Sequence, residues 1–152
     1  MIQNERQYVV TKKQLQMLEA SLAEAHANPN PAQPEVIRQA GLNGIRFLIE
    51  DLEAEIAEYE RLRDGQVTSL PLASVLEELP SALARARVAR GLTQRDLARA
   101  LGTTEQQVQK DESGGYARAS LTRLRRVAEV LGLRLAGEAK LEDRVSEGAT
   151  SG

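Results

Sequence analysis

Residues 93–113 read TQRDLARALGTTEQQVQKDES, and this stretch decides the fold of the chain. Two helices that meet at a steep angle through about three residues need a small residue at their contact, a left-handed residue at the corner and an apolar anchor on the second helix. Ala98, Gly102 and Val108 supply these features in that order. The spacing therefore predicts two short helices, over 94–101 and 105–112, that pack across a tight corner.

Capping residues support these two helices and predict their neighbours. Thr93 and Thr104 each begin a capping-box pattern, in which the hydroxyl accepts a backbone N–H of the first turn. Outward along the chain, a helix over 81–90 is expected to end at Gly91, and a helix capped by Ser120 is expected to end at Gly132. Residues 80–136 are therefore predicted to form a compact bundle of short helices.

Residues 80–136 resemble the Xre/Cro-type, phage-repressor-like helix-turn-helix family, through LARARVARGLTQRDLARALGTTEQQVQKDESG and the following SLTRLRRVAEVLGL. The resemblance implies a lambda-repressor-like bundle whose helix over 94–101 positions the protein on DNA and whose recognition helix over 104–112 enters the major groove. It implies phosphate contacts by Gln94 and Thr104, and a structural ion pair between Arg87 and Glu112. The groove-facing positions that it assigns to base reading are Glu105, Gln106, Gln107 and Lys110.

Side-chain chemistry independently favours DNA as the partner. Gln can bond to adenine through two hydrogen bonds, Lys can donate to guanine, and Glu can accept from cytosine. Four further basic side chains are predicted to neutralise phosphates around the groove, namely Arg95, Arg99, Arg118 and Arg123. Asp111 departs from the family, which usually has an apolar or aromatic residue there, so the recognition helix is expected either to end early or to turn Asp111 outward. Tyr116 could touch the DNA backbone or fill the small core, and the core is the favoured expectation.

The charge of the chain is divided by segment. The whole chain has a formal net charge of −2, which would argue against nucleic acid as a partner. Residues 81–136, however, contain 11 Lys and Arg against five Asp and Glu, and residues 1–80 contain seven against 13. The basic segment coincides with the DNA-binding resemblance, and the acidic segment predicts a second role.

The N-terminal half is predicted to contain two helices around a proline-rich loop over 27–34. The first is expected to begin at the capping pattern Thr11–Gln14 and to span about 16 residues; the second is expected over Glu35–Arg63. Apolar residues on the second helix form a heptad seam, consisting of Leu42, Ile45, Ile49, Leu52, Ile56 and Tyr59. Two interpretations remain open: an intramolecular hairpin, or a dimerising coiled coil with or without that hairpin.

These patterns predict an all-α protein with four regions. Residues 1–66 are the helical dimerisation or partner-binding region, and 67–79 are a linker with a short helix over 71–79. Residues 80–136 are the helix-turn-helix domain, and 137–152 are a flexible tail.

Composition excludes several functions. The chain has no Cys, which excludes disulfides, thiol nucleophiles and Cys-based metal sites, and its single His leaves almost no material for a zinc centre or a Ser–His–Asp triad. We therefore predict no enzyme activity, no catalytic residues, no metal and no cofactor. A polar N-terminus and the absence of a long apolar run predict a cytoplasmic protein without membrane contact.

The preferred hypothesis is a homodimeric, sequence-specific transcriptional regulator that represses through a double-stranded DNA operator. The alternative is an antitoxin-type protein, whose N-terminal region neutralises a toxin while the DNA-binding unit regulates its own operon. A scaffold that uses only the coiled coil would leave the recognition-helix pattern unexplained.

Overall fold

The computed structural model describes residues 1–138, which form six α-helices and no strand. The helices are α1 (Glu5–Ala27), α2 (Glu35–Arg63), α3 (Val75–Ala89), α4 (Gln94–Leu101), α5 (Glu105–Ser113) and α6 (Leu121–Leu131). The predicted all-α class, with long N-terminal helices before a helical bundle, is confirmed. Residues 139–152 of the predicted tail lie outside the described residues.

Helices α1 and α2 pack against each other as an antiparallel hairpin. At its base the rings of Tyr8 and Tyr59 stack with centroids 5.2 Å apart, and the Arg63 guanidinium lies 4.9 Å from the Tyr8 centroid. The seam of α2 faces α1: Leu42, Ile56 and Tyr59 are buried, and the other three seam residues are partly buried. The seam therefore packs against α1 within one chain, as the hairpin interpretation expects. Its use in a dimer in addition to this hairpin stays a prediction.

The start of α1 explains why the hairpin covers so much of this seam. The side chain of Asn4 accepts a hydrogen bond from the backbone N–H of Gln7 at 2.9 Å, and this cap starts the helix at Glu5. Thr11 lies inside the helix, so the predicted start there is wrong. With 23 residues instead of about 16, α1 is long enough to cover most of α2.

Helix α3 contradicts the predicted break at Pro80. The helix runs without interruption from Val75 to Ala89, with the proline in its second turn. The Glu78 carboxylate accepts the backbone N–H groups of Ala73 and Ser74, each at 3.0 Å, and fixes the start of the helix ahead of the proline. The missing N–H of Pro80 costs one hydrogen bond, and the buried residues that follow it offset this cost.

Helices α3 to α6 enclose the main core, which includes Leu83, Leu97, Ala98, Val108, Tyr116, Val127 and Leu131. A second apolar cluster joins the hairpin to α3, through Ile2, Tyr8, Ile56, Tyr59, Leu62 and Val88. An ion pair of 2.7 Å between Arg85 and Glu58 crosses the same junction. The hairpin is therefore docked on the bundle. No helix within residues 1–138 combines the length and the apolar character of a membrane span.

Candidate nucleic-acid interface

The corner between α4 and α5 has the predicted construction. Thr93 and Asp96 form a complete capping box at the start of α4, and Thr104 accepts the N–H of Gln107 at the start of α5. Gly102 ends α4 with a φ of 68°, a left-handed conformation that a side chain would strain. Val108 is 1% exposed and anchors α5 in the core. The inward anchor and the corner leave the opposite face of α5 directed outward.

That outward face carries the predicted base-reading residues. Glu105, Gln106, Gln107 and Lys110 are all exposed. Gln106 and Lys110 are four residues apart, so they lie on one side of the helix. Gln107 instead donates to the Asp111 carboxylate at 2.8 Å. Glu105 pairs with Arg95 at 3.0 Å, which partly offsets the negative charge that Glu105 would bring towards DNA.

A buried ion pair holds α5 against α3. Both Glu112 carboxylate oxygens accept from Arg87, from Nε at 2.6 Å and from a terminal nitrogen at 2.9 Å. The side chains are 3% and 0% exposed, so this is the fully buried, bidentate arrangement of Arg and carboxylate. The two residues expected to form an ion pair are thus brought together at the base of α5.

Gln94 belongs to the same buried network. Its side chain donates to Glu112 at 2.8 Å and accepts from Asn4 at 3.4 Å, and the residue is only 6% exposed. The buried carboxylate of Glu112 accepts this hydrogen bond in addition to those from Arg87, and Gln94 can supply it because it is the first residue of α4. The predicted contact of this side chain with a DNA phosphate would require it to leave these partners.

The family comparison agrees with this geometry. The family model described as helix-turn-helix matches residues 83–137. This segment is a helix-turn-helix domain. The expected resemblance is confirmed for a little over a third of the chain, and the module is of a kind that DNA-binding regulators use. No curated protein and no solved structure matches the chain.

Asp111 of the helix-turn-helix domain follows neither expected course. Helix α5 continues past Asp111 to Ser113. The Asp111 carboxylate turns towards α6 and accepts two hydrogen bonds from Arg123, at 2.6 and 2.8 Å. The Asp111 side chain is 12% exposed. An ionic contact therefore replaces the apolar packing that the family usually has there, and Arg123, expected to bind phosphate, is engaged by Asp111 instead.

The remaining predicted phosphate residues stay at the surface of the helix-turn-helix domain. Arg95, Arg99, Thr104 and Arg118 are exposed. Arg99 lies 3.8 Å from Asp96, which leaves its guanidinium accessible. Arg118 lines a surface groove beside α5, together with Lys110 and Ser120. Arg95 contacts Glu105 at the start of α5 and Arg118 shares a groove with Lys110, so basic side chains lie next to the outward face of α5.

Two residues outside the matched segment contribute to the network and were missed from the sequence. The backbone carbonyl of Gln3 accepts from Arg87 at 2.5 Å, and Asn4 donates to Gln94. The only sequence signal is that Asn is a favoured helix cap. Nothing in the local pattern indicates that residues 2–4 contact a segment more than 80 residues away.

Proposed function

We propose that the protein is a sequence-specific regulator that binds double-stranded DNA and represses transcription, with α5 as the recognition helix in the major groove. The observation that carries the proposal is the exposed pair Gln106 and Lys110 on the outward face of α5, next to the left-handed corner of a helix-turn-helix domain. An amide and an ammonium at this spacing suit direct hydrogen bonding to adenine and guanine edges. The proposal includes no enzymatic activity and no cofactor.

Phosphate contacts are assigned to the exposed basic residues around α5 and to its N-terminus. Thr104, Arg99 and Arg118 fit this role, because their side chains are exposed. Arg95 can exchange its surface partner Glu105 for a phosphate, since a surface ion pair contributes little. The net charge of +6 over residues 81–136 supports a strong salt dependence of binding.

Titration of genomic operator fragments tests the proposal at the residue level. Gln106→Ala and Lys110→Ala are each expected to weaken binding to the cognate site by about 1–3 kcal/mol and to relax specificity at one position. Arg118→Ala is expected to weaken all sequences equally and to reduce the salt dependence. Gln16→Ala and Lys13→Ala, at exposed positions of α1, are the matched controls. Equal affinity of the native protein for operator and random DNA would refute sequence-specific binding.

Repression through a symmetric operator further requires two copies of the domain. A dimer would place its two recognition helices roughly 34 Å apart, or a multiple of that distance, along the DNA. Footprinting upstream of the gene gives the spacing of the half-sites directly. A footprint without two related half-sites would count against a dimeric regulator.

The acidic hairpin supports a second candidate function, that of an antitoxin. Helix α2 exposes Glu50, Asp51 and Glu53 on one stretch, and residues 1–80 have a net charge of −6. Such a surface suits a basic protein partner. Isolation of the native protein with a basic partner, together with rescue of growth when a neighbouring toxic gene is expressed, is the expected result for an antitoxin. Recovery without a partner and no rescue would eliminate this candidate.

A further inference from the structure

Helix α2 carries a second apolar stripe that α1 does not cover. Val36, Ile37, Phe47 and Leu48 are 81%, 57%, 68% and 49% exposed, although Phe and Leu are normally among the more buried residue types. Ile37 and Leu48 lie at the two ends of a 4–3–4 spacing whose inner positions are Gly41 and Gly44. We call Ile37, Gly41, Gly44 and Leu48 the outer stripe. The spacing puts them on one side of the helix, and all remain exposed after the seam has been filled.

The two glycines of the outer stripe have no role within one chain. A Cβ atom added at Gly41 or Gly44 would meet nothing within 4 Å. Each glycine in a helix interior costs about 0.5–1 kcal/mol relative to alanine. What two adjacent small residues do provide is a flat surface on which another helix can approach closely, and no element of residues 1–138 occupies that surface.

The outer stripe is complementary to itself. If two α2 helices run antiparallel about a two-fold axis between Leu42 and Asn43, Ile37 faces Leu48 of the partner subunit, and Gly41 faces Gly44 of the partner subunit. A two-fold dimer requires this kind of self-matching surface. Large residues then meet large residues at both ends, and the glycines meet at the centre.

Charge selects the antiparallel arrangement. In this register the two helices overlap over residues 35–50, and the acidic run that continues with Asp51, Glu53, Glu55 and Glu58 lies outside the overlap. A parallel pair would instead place these acidic segments side by side. Glu55 and Glu58 are paired within the chain, with the N-terminal amine and with Arg85, so the like charges that disfavour this arrangement are those of the exposed Asp51 and Glu53.

We propose that the outer stripe of α2 is the homodimer interface, formed with a second copy of this chain in antiparallel, two-fold packing. Taking roughly 150–200 Å² for each large apolar side chain, the exposed parts of Ile37 and Leu48 amount to roughly 200 Å² per chain. The pair therefore buries about 400 Å² from these side chains, and Val36 and Phe47 beside the stripe, with the rest of the helix surface over residues 35–50, extend the contact towards the roughly 1,200 Å² of a specific interface. The inference names the partner surface of the proposed dimeric regulator, but it does not depend on DNA binding.

Sedimentation velocity of the full chain over a concentration series measures the dimer without DNA. Gly44→Leu is expected to raise the dissociation constant at least about tenfold, because a large side chain blocks the close approach. The same change should leave the melting temperature of the dilute monomer equal or higher, since its surroundings are open and leucine favours helix. Ala57→Leu, at an exposed position away from the outer stripe, is the matched control and should not alter the dimer.

Cysteine cross-linking tests the register, and the chain has no cysteine that would interfere. The double variant Ile37→Cys with Leu48→Cys is expected to form a covalent dimer under mild oxidation, and either single variant is not. A bond within one chain is excluded, because eleven residues of helix separate the two positions by about 16 Å. In a parallel pair each single variant would cross-link to itself.

Three outcomes would overturn the inference: a native chain that stays monomeric at tens of micromolar, a dimer that Gly44→Leu leaves intact, or cross-linking of the single variants. Failure of the proposed function is distinguishable, because it would appear as loss of specific DNA binding with the dimer intact. Likewise, a substitution that disrupts the dimer interface would change the sedimentation velocity whether or not the protein binds DNA specifically.

Discussion

The buried ion pair between Arg87 and Glu112 allows a prediction that separates pairing from simple packing. Arg87 donates to Glu112 and also to the carbonyls of Leu92 and Gln3, at 2.8 and 2.5 Å, while Glu112 has Gln94 as a further donor. Arg87→Met would leave a buried carboxylate with one donor and two carbonyls without theirs. Loss of one partner of a buried pair costs about 3–5 kcal/mol, and we expect the upper part of this range.

Removal of the other partner should cost less. Glu112→Leu leaves the Arg87 guanidinium with its two carbonyl acceptors, so we expect a loss near 3 kcal/mol. The double variant Arg87→Met with Glu112→Leu buries no charge, and its loss should be smaller than the sum of the single losses by at least about 2 kcal/mol. This coupling arises because each single variant leaves a charge without its partner.

Urea denaturation followed by circular dichroism gives the three free energies of unfolding, at one low protein concentration so that association does not contribute. Equal m-values across the variants are required for the comparison. Losses that add to within about 0.5 kcal/mol would refute the reasoning, because they would mean that the two side chains act independently.

Three further predictions concern the helix-turn-helix domain. Asp111→Ala should lower the free energy of unfolding by about 1–2 kcal/mol, because it breaks the partly buried contact with Arg123. It should also raise the affinity for random duplex DNA in a titration, because it removes a negative charge from α5. A variant that loses both stability and DNA affinity would contradict this account. Burial raises the pKa of the Tyr116 phenol, so the contribution of the neutral phenol to the free energy of unfolding is present below its ordinary pKa of about 10 and is lost as pH rises above that value. Tyr116→Phe should therefore lose less stability than the native chain when denaturation is measured between pH 9 and about 11. Thr93→Ala should lower the free energy of unfolding by about 1 kcal/mol at neutral pH. Because the hydrogen bond from Thr93 lowers the pKa of Asp96, the difference in stability from the native chain should shrink as pH falls below about 4. A difference in stability that does not change with pH would show that the capping box is not responsible.

Local patterns predicted the helix-turn-helix domain well. The caps at Thr93 and Thr104 and the left-handed glycines at 91, 102 and 132 depend on residues within one turn of each other, so their geometry follows from adjacent sequence. The same holds for α2, whose predicted bounds are those observed. The prediction of a helix break at Pro80 was wrong because the carboxylate of Glu78 fixes the start of α3 before the proline. The sequence alone does not show whether the capping carboxylate or the proline decides where the helix begins.

The exposure of the predicted residues on α5 and the pairing of Arg87 with Glu112 were predictable from the sequence, but the other side-chain pairings around them were not. The outward positions of α5 were implied by the resemblance to the helix-turn-helix family, and the burial of Val108 on the other face of the helix accounts for their exposure. The engagement of Gln94 by Glu112 and of Arg123 by Asp111 depends on how helices distant in sequence come together, which no spacing encodes. For the same reason the seam of α2 predicted an apolar contact but left open whether α1 or a second chain would supply it.

The contacts of residues 2–4 affect the order in which the chain can fold during synthesis. Gln3 bonds to Arg87 and to the carbonyl of Glu112, which follow it by 84 and 109 residues. On the ribosome the hairpin can form early from neighbouring segments and can already offer apolar contacts to Ile2, but Gln3 cannot complete its hydrogen bonds until α3 and α5 have emerged. The closure of the amino-terminal segment over the ion pair is thus a late event, and α5 gains this support only after the chain up to Glu112 has been made.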